Sequence, residues 1–205
     1  MSEDITVAIV LLAAGKAARM GKAGQHKLLS EFDGVPLVRR SAEVAIASGA
    51  AWLIVVTGHR SDEIEHALSS LSLDIVNNPD FASGMASSLI VGMSAQAARK
   101  ADGVMIMLAD MPALTAADLM ALMSAFRGAS GKAIVRATSQ GRRGNPVILP
   151  QFLLPRVLEL RGDVGARSVI ENSGLAFVDV DIGADALIDV DTPEEVIAAG
   201  GRLKG

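Results

Sequence analysis

Ile5-Thr6-Val7-Ala8-Ile9-Val10-Leu11-Leu12-Ala13-Ala14-Gly15-Lys16-Ala17-Ala18-Arg19-Met20-Gly21, running on to Lys27, joins an apolar run directly to a small-residue loop that carries cations. Residues Ile5 to Leu12 predict a buried strand, so the loop leaves that strand's carboxyl end. In open α/β sheets ligands bind at this rim. Lys16, Arg19, Lys22 and Lys27 cluster there, while Ala13, Ala14 and Gly15 let backbone approach a ligand closely. Amide donors and cations together suit a di- or triphosphate, the bland alternative being a solvated basic loop.

Outward from this stretch, short apolar runs alternate with helix-like segments, the signature of βαβ units and a mostly parallel sheet. Strands are expected near Ile5–Leu12, Leu53–Thr57, Leu73–Val76, Val104–Leu108, Ala133–Arg136, Val147–Leu149 and Phe177–Val180. Helices are expected over Pro36–Ser48, after Ser61, over Ala86–Arg99, from Thr115 to just before Gly128, and from Thr192. The last opens with Thr192-Pro193-Glu194-Glu195, an N-cap, a first-turn proline and a capping-box glutamate. No linker or repeat divides the 205 residues, so one α/β domain over 1–205 is expected.

Composition narrows the function. Aromatic residues make up 3% of the chain and tyrosine is absent, which argues against stacking platforms for single-stranded nucleic acid. A formal net charge of −4 gives no general attraction to nucleic acid or an anionic membrane surface. Zero cysteines exclude disulfides, thiolate metal sites and cysteine nucleophiles. No apolar run approaches the ~18 residues of a membrane span, and the acidic start is a poor targeting signal. A soluble cytoplasmic protein, bound neither to nucleic acid nor to membrane, is the expectation.

Known phosphate motifs fit poorly. Gly15 to Gly21-Lys22 has five intervening residues where a Walker A loop has four, and Ala23 follows in place of Ser or Thr. No G-x-G-x-x-G follows the first strand. Past the strand at Val104–Leu108, Asp110 precedes Met111-Pro112, a position for holding a hard cation such as magnesium or, alternatively, only for making a turn. Asp189 and Asp191, flanking Val190, would share one face of an extended segment, although Asp191 can equally serve the entry of the last helix. Gly141-Arg142-Arg143-Gly144-Asn145-Pro146 reads as a turn with two guanidinium groups suited to an anion. Gly162-Asp163-Val164-Gly165-Ala166-Arg167 is a second glycine-bounded loop. Asn77-Asn78-Pro79 through Gly84 to Ser87-Ser88 forms a third polar loop, able to meet a base or ribose or simply to cap a helix. His26, His59 and His66 share no metal-ligand spacing and read as surface or loop histidines.

Taken in order, LLAAGKAARMG with Lys27, NPDFASGMASS, LADMP, GRRGNPV, GDVGAR and DVDTPEE resemble the MobA/MocA-like nucleotidyltransferases, in particular their molybdenum cofactor cytidylyltransferase branch. The resemblance runs from about Ile5 to Ala198. It implies a Rossmann-like three-layer fold of the nucleotide-diphospho-sugar transferase type. It also implies transfer of a nucleotidyl group from a Mg-NTP to the terminal phosphate of molybdopterin, with pyrophosphate released and a molybdoenzyme as possible client. By this resemblance Leu12, Ala13, Ala14 and Gly15 line the nucleotide and Arg19 and Lys27 hold the triphosphate. Asp110 ligates Mg2+, Gly84 and Ser87 lie near base and ribose, and Arg143, Asn145, Pro146, Asp163 and Arg167 face the acceptor. Asp191 as second metal ligand is inferred from position. Leu-Ala-Ala-Gly resembles the CTP-using branch, whereas GTP users usually carry Leu-Ala-Gly-Gly. The stretch Gly21–Lys27 is slightly longer than the family spacing, so Lys22 and Lys27 both remain candidates for the triphosphate. Sugar-phosphate or phospholactate nucleotidyl transfer, and a non-catalytic cofactor chaperone, are the competing readings.

Overall fold

The computed structural model describes residues 5–21, 25–162 and 165–204. The chain runs β1 (Val7–Leu12), β2 (Glu31–Phe32), β3 (Val35–Pro36), α1 (Leu37–Ala47), β4 (Trp52–Thr57), α2 (Ser61–Leu68), β5 (Asp74–Asn77), α3 (Met85–Ser94) and α4 (Gln96–Lys100). It continues through β6 (Gly103–Leu108), α5 (Ala116–Gly128), β7 (Ile134–Ser139), β8 (Arg142–Pro150), α6 (Leu154–Val157), α7 (Arg167–Glu171), β9 (Phe177–Asp181) and α8 (Pro193–Ala198).

Seven strands form one sheet in the order β5-β4-β1-β6-β8-β7-β9, and only β8 runs against its neighbours. Central strands are buried on both faces, as their continuous apolar runs require. Along β1, Val7, Ile9 and Leu11 enter a core completed by α1, α2, α5 and α8, while Ala8 and Val10 enter a second core with α3, α4, α6 and α7. The period-two alternation of one strand thus separates two hydrophobic layers and gives the three-layer fold. No helix among the described residues is long and apolar enough to cross a membrane.

Helix entries follow their caps. Thr115 with Asp118 and Thr192 with Glu195 each form a complete capping box. Two expectations are corrected. The stretch Ala86–Arg99 is two helices, because Ala95 takes an extended conformation (φ −58°, ψ 145°) and starts a new short helix whose Ala97 and Ala98 turn into the core. The segment Arg142–Pro146 is part of a nine-residue strand, and the turn lies earlier, at Gln140-Gly141. Both turn residues have positive φ (48° and 77°), the backbone of a two-residue hairpin whose twist matches its strands.

Candidate functional site

At the carboxyl end of β1 the sheet ladder parts. The Leu12 carbonyl accepts from Ala109 N–H beside β6 (3.2 Å), while Ala13 N–H donates to Val56 O of β4 (2.9 Å). The chain next enters β4 on one side of β1 and later β6 on the other, which makes this a topological switch point. The loop packs closely beneath, since a Cβ on Gly58 would stand 2.8 Å from the Ala14 and Phe81 Cβ atoms. His59 N–H donates to Ala14 O (3.2 Å), and the His26 ring Nε2 bonds Gly15 O (3.1 Å).

These bonds orient the loop. In a trans peptide the carbonyl and the following N–H point opposite ways. With both carbonyls engaged by the histidines, the Gly15 and Lys16 N–H groups turn away from them, and neither has a hydrogen-bond partner among the described residues. Both residues are exposed and line a cavity of about 680 Å³, a volume typical of small-molecule sites. Its other walls come from Phe81–Met85, Ser88, Leu108 and the acidic residues Asp110, Asp189 and Asp191.

One lysine joins the acidic wall. Lys27 Nζ lies 2.5 Å from Asp110 Oδ2 and 2.6 Å from Asp191 Oδ1, and Arg19 reaches the other Asp191 oxygen at 2.8 Å. Lys27 and Asp110 are largely buried, whereas Arg19 is 71% exposed. The Asp191 segment is fixed at three points: Val190 N–H donates to Asp110 O (3.0 Å), and Glu195 accepts from the N–H groups of Asp191 (2.7 Å) and Thr192 (3.0 Å). Those backbone bonds hold the Glu195 carboxyl below its ordinary range.

Burial pushes the Asp110 carboxyl up, and the charges of Asp189 and Asp191 push the same way against Lys27. Burial also works against the Lys27 ammonium, but Asp110 and Asp191 together hold it above its usual value. Lys27 therefore does not fully offset the burial of the Asp110 carboxyl. Asp110 Oδ1 is buried with no hydrogen-bond partner among the described residues, an oxygen suited to a cation. No group of three or more His, Cys, Asp or Glu side chains among the described residues is arranged to hold a metal by itself. Magnesium fits such a site, since it binds through one or two carboxylates completed by water and substrate phosphates.

Of the residues singled out from sequence, Leu12, Ala14, Gly15, Arg19, Lys27, Gly84, Asp110 and Asp191 line the cavity together. Ala13 instead enters the core. The Ser87 hydroxyl is occupied at the start of α3, with Gly84 O (2.9 Å) and Asp80 O (3.0 Å) both within reach of its single proton and Asn78 Nδ2 donating to its oxygen (2.9 Å), and Ser88 faces the cavity in its place. Arg143, Asn145, Pro146 and Arg167 stand outside the lining. Arg143 (3.7 Å) and Arg167 (2.9 Å) meet on the Glu171 carboxylate, and Arg167 begins α7. Gly165 packs against Met85, which places Gly165 near the cavity rim. Lys22 and Asp163 lie outside the described residues. His26 is not a surface residue: it is 2% exposed. Its partner Gly15 lies in an irregular loop, where no periodicity could have marked the pair.

Residues 9–177 match the MobA-like NTP transferase domain. The chain is 29% identical over 193 residues to nicotine blue oxidoreductase of Paenarthrobacter nicotinovorans, covering 91% of this chain and 93% of the relative. It is 29% identical over 204 residues to purine catabolism protein PucB of Bacillus subtilis, covering 91% and 92%. Identity to the molybdenum cofactor cytidylyltransferase of Escherichia coli is 24% over 194 residues, covering 94% and 95%. A nucleotidyl transferase from Methanothermobacter thermautotroptrophicus has the same fold (TM-score 0.78, 24% identity, 94% and 95% covered). So does Rv0371C of Mycobacterium tuberculosis, solved in complex with manganese (TM-score 0.75, 20% identity, 95% and 97% covered). This chain belongs to the MobA-like NTP transferase family and is a nucleotidyltransferase by family.

Proposed function

We propose that this nucleotidyltransferase moves CMP from CTP to the terminal phosphate of molybdopterin, making the cytosine dinucleotide form of the cofactor and releasing pyrophosphate. The observation that carries this reading is the convergence on one cavity of two outward amides and of two carboxylates bridged by Lys27. The amides of Gly15 and Lys16 receive phosphate oxygens, and Arg19 and Lys27 take up their charge. Asp110 and Asp191 would hold magnesium, which when bound neutralises charge on the polyphosphate. An acceptor phosphate oxygen forms the new bond to the α-phosphorus as the bond to the β-phosphate oxygen breaks in line, and the pair of electrons leaves with pyrophosphate. An ionised phosphate needs no strong general base, so alignment and charge neutralisation supply the catalysis.

The choice of CTP rests on Ala14, which lines the cavity and carries its methyl close to Gly58. It narrows the wall against a larger purine by about 1–3 kcal/mol, the value of one methyl in a pocket. Arg143 and Arg167, which meet at Glu171, contact the acceptor's anionic groups in this reading. Pyrophosphate release with molybdopterin cofactor, magnesium, and CTP or GTP in parallel tests it. CTP-dependent release is expected. Release with GTP alone, or only with a sugar-phosphate acceptor, overturns the assignment. Tight cofactor binding without release from any NTP identifies a chaperone.

A further inference from the structure

His26 is buried between the two segments assigned to the triphosphate, and neither ring nitrogen is idle. Gly15 O can only accept, so Nε2 must carry the proton that bridges the 3.1 Å between them. Leu28 N–H can only donate, so Nδ1 must be the acceptor at 3.3 Å. The two bonds define a neutral imidazole and a single tautomer. Its own carbonyl accepts from Leu29 N–H (3.0 Å) and Ser30 N–H (3.2 Å), which closes the turn that presents Lys27. One face of the ring stacks on His59, with centroids 5.5 Å apart and planes 18° from parallel. Burial is the leading reason its pKa falls from 6.5 to about 4, so the neutral ring persists through the physiological range.

The consequence falls on one peptide plane. Gly15 has no Cβ, so its own side chain does not restrict rotation of the Gly15–Lys16 peptide as it would at any other residue. The Gly15 carbonyl makes no hydrogen bond within the described residues other than that to His26. If it swung toward the cavity, a carbonyl oxygen would replace the Lys16 N–H and repel phosphate. We infer that His26 is a positioning residue: through Gly15 O it locks the Lys16 N–H toward the triphosphate, and through Leu28 N–H it sets the turn bearing Lys27. This rests on the nucleotide reading given above.

Two substitutions separate the hydrogen bond from mere filling. His26→Phe keeps an aromatic ring against His59 and removes both polar ends, whereas His26→Gln keeps an N–H donor able to reach Gly15 O. Calorimetric titration with Mg–CTP, with thermal unfolding of each variant as a check on folding, is expected to show about ten-fold weaker binding for Phe, corresponding to roughly 1.4 kcal/mol. Gln should stay within about three-fold of the original chain, the difference one restored hydrogen bond makes. In steady state the Phe defect should appear mainly in KM for CTP. Long-range nitrogen–proton NMR of the unsubstituted protein at neutral pH should show the Nε2–H tautomer. Equal binding by all three proteins, equal impairment of Phe and Gln, or an Nδ1–H tautomer overturns the inference. Failure of the unsubstituted protein to bind CTP, GTP, ATP or UTP refutes instead the nucleotide reading, and the inference with it.

Discussion

Replacing Lys27 by Met keeps an unbranched stem and removes the ammonium that, among the described residues, Asp110 and Asp191 share. At an effective dielectric of about 20, each contact near 2.6 Å represents about 6 kcal/mol of gross attraction, from which the cost of desolvating the ions must be subtracted. Removing one member of a buried pair costs about 3–5 kcal/mol. Here the carboxylates keep 16% and 22% side-chain exposure and Arg19 remains on Asp191, so the lower end, about 3 kcal/mol, is expected. Urea unfolding of both proteins at pH 7 measures it. Repeating the measurement with magnesium and no nucleotide gives the sharper comparison. In the Met variant the ligand oxygens have no resident ammonium, so magnesium at ten times its Kd should restore about 1.4 kcal/mol. In the unsubstituted protein Lys27 competes, and the gain should be smaller. A loss under about 0.5 kcal/mol, or equal magnesium stabilisation of both proteins, would refute the claim that Lys27 neutralises these carboxylates.

Asp110→Ala should lower magnesium-dependent pyrophosphate release by on the order of 10²–10³ in kcat, and near-normal turnover in a steady-state assay would remove Asp110 from the reaction. Gly58→Ala would press a methyl onto Ala14 and Phe81 at 2.8 Å, so a loss of about 1–3 kcal/mol in thermal or urea unfolding is expected, together with a higher KM for the nucleotide. His26 carries a pH dependence. Its folded pKa of about 4 lies below the unfolded 6.5, so the unfolded chain binds the extra proton between those values. The neutral ring's contribution is complete above pH 6.5 and is lost as pH falls toward 4, by about 3 kcal/mol in all. Urea titrations across that window should show His26→Gln losing less stability than the unsubstituted protein, and parallel curves would contradict the buried neutral ring.

All seven sheet strands left some apolar signal in the sequence, although only the Val147–Leu149 part of β8 was legible, because its first half, Arg142–Asn145, is polar. Two helix starts were legible because Thr115 and Thr192 announce capping boxes. The β2–β3 ribbon, two strands of two residues each, is too short for any period to register. The break at Ala95 lies in an alanine-rich stretch with high helix propensity, and burial of Ala97 and Ala98 overrides that local preference. The site divides in the same way. Loop composition and the Asp110 turn pointed to the sheet rim, but the bonds joining Lys27 to Asp110 and Asp191 span 83 and 164 residues of sequence. Nothing local encodes that meeting. It is produced by the order of strands in the sheet and by the backbone bond from Val190 to Asp110.

The same meeting sets the basic loop of an acidic chain against carboxylates of its own. Around the cavity, Lys16, Arg19 and Lys27 face Asp110, Asp189 and Asp191, so their formal charges cancel. Lys27 and Arg19 are already engaged with carboxylates, and a bare polyphosphate would have to break those pairs while leaving Asp110 buried and uncompensated. A polyphosphate that arrives with a divalent cation meets no such penalty, because the carboxylates gain a new partner as the lysine and arginine turn to the phosphates. In the proposed reaction the ion-pair network would therefore select for the metal-bound form of the nucleotide. The outward amides of Gly15 and Lys16, which carry no formal charge and engage no carboxylate, can bind either form. Discrimination consequently belongs to the Lys27 network and orientation to the loop, two roles that substitution at Lys27 and at His26 should separate.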